Sequence, residues 1–156
     1  MNVQHILIDD SNPEHRELSI CRTGTLNRVR LGDGGYHAYA SLSIDGHDYA
    51  ALFHYGIVEA CGALPFISES GNGLDSWDEA YLPSGSLNRL RRIIGEAAGS
   101  VDSGKEETIL LGWQDQPAAI AWLRRIEPQK FLGFIETLLG FIEESERDGY
   151  DLEFIL

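Results

Sequence analysis

His37 and His54 are the residues whose spacing first suggests chemistry. They lie in two alternating stretches, 36–44 and 47–55, on either side of Asp45-Gly46. Asp-Gly is a favoured pair for a two-residue type I′ turn, because both central positions need positive φ. Such a loop fixes the register: Ile44 faces His47, Leu42 faces Tyr49, and His37 faces His54. Two facing imidazoles can begin a zinc site or act as an acid/base pair. A zinc ion would need one or two further ligands. His5, His15 and Asp48 are of the right type, but no spacing brings them close. The plain alternative is two surface histidines on a polar sheet face.

Other nucleophile and phosphate motifs fail on their surroundings. There is no G-x-S-x-G elbow, since Ser70 sits in E-S-G-N-G. Cys61 follows His54 by seven residues, but its apolar neighbours favour an inert buried thiol. Ser103 to Glu106 reads S-G-K-E, without the earlier glycine or the following Ser/Thr of a phosphate loop. Leu31 to Gly35, L-G-D-G-G, reads as a turn with no helix after it. The two cysteines, Cys21 and Cys61, form neither a C-x-x-C pair nor a zinc-ligand spacing. No catalytic residue, metal or cofactor is expected.

The charge is more informative. Lys plus Arg is 12 and Asp plus Glu is 25, a net −13. That excludes the cationic surface nucleic-acid binding needs, and equally attraction to an anionic membrane. It favours a cationic protein partner, because a field of one sign steers opposite charge. Plain solubility is the competing explanation.

The acids concentrate in two places. The segment 69–81 holds Glu69, Asp75, Asp78 and Glu79 with Trp77 and Tyr81, and no lysine or arginine. An aromatic anchor ringed by charge has the anatomy of a binding hot spot. Trp77 folded back onto the core is the alternative. A calcium-loop reading of Asp75 to Glu79 lacks alternating oxygen ligands and a central glycine. The second group is Glu143, Glu144, Glu146, Asp148, Asp151 and Glu153, relieved only by Arg147. Acids there oppose the dipole of a preceding helix.

The elements that must position these residues follow from periodicity. Val3–Ile8, Glu17–Arg22, Leu26–Leu31 and Tyr150–Leu156 read as strands, and Thr108–Trp113 as a strand buried on both faces. Ser86–Ala98 reads as a helix capped by Ser86, and Pro117–Ile126 as a short helix opened by its proline. The longest helix runs from Pro128 to about Arg147, on a stripe of Phe131, Phe134, Ile135, Leu138, Leu139 and Ile142. Gly133 and Gly140 lie on one line of it and suggest close approach by a neighbour. Ser68–Gly85 is a long loop by composition. The expected fold is one α+β domain, 1–156: an antiparallel sheet centred on the 36–55 hairpin and packed by two or three helices. Met1 to Asp10 lacks the basic and apolar regions of a signal peptide, and 131–142 is too short and mixed to span a bilayer, so the chain reads as cytoplasmic.

In size, acidity and lack of catalytic motifs the chain resembles bacterial immunity proteins, which block a co-produced toxin. The resemblance carries no residue over. It implies a non-catalytic binding protein that neutralises a basic partner. Within the acidic segment, Glu69, Asp75, Trp77, Asp78, Glu79 and Tyr81 are the expected contacts. The alternative is a small metal-dependent or hydrolytic enzyme using His37 and His54.

Overall fold

A computed structural model describes residues 2–8, 18–22, 27–30, 36–39, 41–71, 74 and 79–155, with backbone alone at 18–19, 27–30 and 36–39. Helices and mostly antiparallel sheets make the fold α+β, as the sequence implies. One sheet joins β5 (Ser41–Ile44), β2 (Leu18–Arg22), β9 (Leu152–Ile155) and β6 (Ala80–Leu82) in that order, all antiparallel. A second joins β1 (Gln4–Leu7), β8 (Ile120–Ile126) and β7 (Glu107–Gln114); β1 runs parallel to β8, and β7 antiparallel to it. A two-stranded ribbon pairs β3 (Asn27–Arg30) with β4 (Tyr36–Tyr39).

Four helices pack on these sheets: α1 (Gly46–His54), α2 (Ile57–Cys61), α3 (Leu87–Gly99) and α4 (Pro128–Arg147). Pro128 opens α4 at a position where its missing N–H is no loss. Phe131, Ile135, Leu138 and Ile142 recur at helical spacing and are 0–2% exposed. Burying each is worth about 1.5–3 kcal/mol against leaving it in water. They meet Leu87, Leu90 and Ile94 of α3 in one core with Ile20, Leu82, Leu152 and Phe154 of the four-stranded sheet. No helix among the described residues is long and apolar enough to cross a membrane.

The hairpin over 36–55 does not form. Residues 46–54 are helix α1, and Asp45 is its N-cap rather than the first residue of a turn. The Asp45 side chain accepts from the Asp48 N–H at 2.8 Å, and Asp48 adds negative charge to the first turn. Aspartate suits both roles for the same reason, a short carboxylate that accepts nearby backbone N–H groups, and here the helix wins. The first half of the expected hairpin splits between two other partners, β4 pairing with β3 and β5 with β2, while the second half is α1.

Three smaller expectations also change. Residues 120–126 form a central strand, β8, not a helix; Pro117 lies in the connection before it. Ser86 ends a 3-10 turn over Ser84–Ser86 and makes no side-chain cap for α3. A methyl placed on Gly133 or Gly140 would meet nothing within 4 Å, so no neighbour closes on that line of α4.

Candidate functional site

The acidic segment ends on an exposed sheet edge. β6 is the last strand of the four-stranded sheet. Ile67 bridges to Tyr81 with both backbone N–H groups donating at 2.8 Å. Glu69 follows two residues later and is exposed, as is Glu79. The Tyr81 hydroxyl donates to Glu79 Oε2 at 3.0 Å. Across the ladder Tyr81 stands beside Glu153 of β9. The Glu79 hydrogen bond, then burial and the Glu153 charge, push the Tyr81 phenol up to about 12. Ionising it would add a charge to a field already negative.

Of the six expected contact residues, Tyr81 lies in β6, Glu79 immediately precedes that strand and accepts the hydrogen bond just described, and Glu69 is exposed in the turn after the Ile67 bridge. Asp75, Trp77 and Asp78 lie outside the described residues. Leu74, the residue before Asp75, is buried in the core.

The second acidic group is largely neutralised inside the molecule. Arg22 of β2 reaches Glu144 at 3.3 Å and donates from Nε to Ser145 Oγ at 3.0 Å. Its guanidinium also lies 5.2 Å from the Phe141 ring centre and 5.6 Å from that of Tyr150. Arg91 of α3 lies 3.6 Å from Glu146 and 3.9 Å from Glu143. Asp151 accepts the Ser84 N–H at 2.7 Å. The acids that oppose the α4 dipole are therefore offset by arginines from two other elements.

The histidine pair does not assemble. In the β3–β4 ribbon the partner of His37 is Val29, while His54 sits at the end of α1. His54 Nε2 instead contacts Glu107 Oε2 at 2.6 Å, and Lys105 contacts the same carboxylate at 3.3 Å. Tyr55, the next residue, stacks on Phe131 at 5.1 Å, and its buried hydroxyl has no hydrogen-bond partner among the described residues.

The structure also brings together a cluster the sequence reading did not single out. His47 is 3% exposed. Its Nδ1 is 2.9 Å from Asp48 Oδ1, and its Nε2 accepts the Glu127 N–H at 2.9 Å. The carboxylate beside Nδ1 and the N–H donor at Nε2 together place the ring proton on Nδ1. Lys130 Nζ lies 2.6 Å from Asp45 Oδ2 and 3.7 Å from Asp48 Oδ2. Burial acts to raise Asp45, but the Lys130 ammonium and the Asp48 N–H outweigh it and hold the carboxyl below its ordinary value. Burial keeps Asp48 above its ordinary value despite the His47 hydrogen bond.

Asp45, His47 and Asp48 offer ligand atoms within 4.8 Å of one another, the spacing of a metal triad. The donor set fits a metal poorly. Both His47 nitrogens are engaged, and the Lys130 ammonium already supplies the cation. The cluster reads as a clamp between the start of α1 and the start of α4. Beside it lies a cleft of about 210 Å³, lined by Leu7, Ile8, His47, Arg124, Arg125 and Lys130. An aspartate followed three residues later by an acid, the pattern of a capped helix start, was the signal that could have revealed it.

Comparison with family models, with curated proteins and with solved structures gives no match.

Proposed function

We propose that this chain is a non-catalytic binding protein that neutralises a basic protein partner, in the manner of a toxin-immunity protein. The edge formed by Glu69, Glu79, Tyr81 and Glu153, with Asp75, Trp77 and Asp78 beside it in sequence, is the proposed contact surface. One observation carries the reading: Tyr81 of the edge strand β6 donates to Glu79 at 3.0 Å and stands opposite Glu153 of β9, so two acids flank one ring at this edge. Glu143, Glu144 and Glu146 of α4 meet Arg22 and Arg91 of the same molecule. A cationic surface docking on the edge would relieve like-charge repulsion there. The enzyme alternative relied on His37 facing His54, and that register is absent.

The test is binding to the product of the reading frame immediately upstream, should that product end in a basic domain, and otherwise to a panel of basic toxin domains. Stopped-flow association should slow at least tenfold between about 20 and 200 mM salt, as for electrostatically steered encounters. Glu79→Lys should slow it further. Absence of binding, or an association rate indifferent to both salt and Glu79→Lys, defeats the proposal.

A further inference from the structure

The outer face of the three-stranded sheet is apolar where a solvated sheet face should be polar. Leu7 of β1 pairs with Leu123 of β8, which pairs with Leu110 of β7. The three side chains therefore stand in one row across the sheet. Leu7 is 58% exposed and Leu110 59%. Trp113, 49% exposed, continues the face along β7, and its indole N–H donates to Asp115 at 2.8 Å. The opposite face holds Ile126 and Ile109 against the core. The expected burial of this strand on both sides thus fails on its outer side.

Charge selects the occupant. The remaining strand residues on the outer face are His5, Thr108, Ala121 and Arg125, so none of its strand positions is acidic in a chain with 25 acids. A basic partner gains nothing there and meets Arg125. A second copy of this acidic chain meets its least repulsive surface there. The face is also complementary to itself: Arg125 lies at one end, and Trp113 with Asp115 at the other. A twofold axis parallel to the sheet, perpendicular to the strands and midway between the copies, stacks two such faces about 10 Å apart. It sets Leu110 near its own mate and brings Arg125 of each copy toward the Trp113–Asp115 end of the other, where charge and aromatic ring both attract a guanidinium.

We infer that this face is a dimer interface between two copies of the chain, separate from the acidic edge on the other sheet. Three strands span about 14 Å by 23 Å, roughly 330 Å² in plan. That is below the roughly 800 Å² per partner of a standard interface, so the dimer is weak, with a dissociation constant of roughly 10–100 µM.

Sedimentation equilibrium of the purified full chain tests this. A monomer–dimer equilibrium is expected, with dimer predominant at about 500 µM, above the dissociation range set by the small interface. Leu110→Lys, at a position open to water in the single copy, should raise the dissociation constant at least tenfold with melting temperature unchanged. Arg125→Glu should raise it about tenfold, and Arg125→Glu with Asp115→Lys should recover most of that loss. A chain wholly monomeric at that concentration, a dimer indifferent to Leu110→Lys, or a charge swap that recovers nothing overturns the inference.

Discussion

Replacing Gly95, Gly133 and Gly140 with alanine should stabilise the protein. All three lie inside helices, Gly95 in α3 and the others in α4, and all are exposed. An added methyl at each would meet nothing within 4 Å. No steric term then opposes the gain in helix propensity, which is about 0.5–1 kcal/mol per site. Gly133 and Gly140 are seven residues apart and share no partner, so the effects should add to about 1.5–3 kcal/mol. For a chain of this length that is a rise of roughly 3–12 °C in melting temperature. Urea denaturation should show a higher midpoint with an unchanged slope, the mark of altered stability rather than altered compactness. Destabilisation by Gly133→Ala or Gly140→Ala alone would refute the reasoning, because it would mean that something packs against this line of α4.

Three further outcomes are expected. His47→Ala removes the acceptor for the Glu127 N–H and the hydrogen bond to the buried Asp48 carboxylate, at a cost of about 3 kcal/mol measured by chemical denaturation; a loss under about 1 kcal/mol would show that the clamp carries little of the fold. Tyr55→Phe removes a buried hydroxyl without a partner among the described residues, so the melting temperature should hold or rise, and a clear fall would reveal a hydrogen bond to that oxygen. Glu107 is held below its ordinary 4.5 by the hydrogen bond with His54, then by Lys105, so its contribution is present above that value and lost as pH falls through the folded pKa; the stability gap between wild type and Glu107→Gln should be open near pH 6 and close below about pH 4, and a gap unchanged across that range would contradict the pairing.

Local patterns carried much of the architecture. The stripe from Phe131 to Ile142 with Pro128 before it marks α4 unambiguously, and β1, β2, β3 and β9 follow their alternation. The failures share a physical cause. Asp45 can close a turn or cap a helix with the same carboxylate, and the partners that favour the cap are remote in sequence: Lys130 of α4 on Asp45 itself, and the Glu127 N–H on the neighbouring His47. The apolar run at 108–113 reads as a strand buried on both sides because burial is inferred from side-chain type, whereas Leu110 and Trp113 are exposed. The acids at 143–153 have only Arg147 among them in sequence. Arg22 reaches Glu144 across 122 positions, a pairing no local window contains. The stretch 68–85 reads as a loop by composition, but Ala80–Leu82 forms β6 and Ser84–Ser86 a 3-10 turn, and the closeness of Tyr81 to Glu153 depends on a ladder between distant strands.

That ladder makes the proposed contact edge a late product of folding. β9 lies between β2 and β6, so strands from near opposite ends of the chain must meet before the four-stranded sheet exists. Pairing Arg22 with Leu152 closes a long loop, and such contacts form slowly compared with helices. A chain with α3 and α4 formed but β9 undocked has its acids yet not their arrangement around Tyr81. Recognition through this edge would therefore be conditional on completed folding, and incompletely folded chains would be excluded from the complex without any separate checking step.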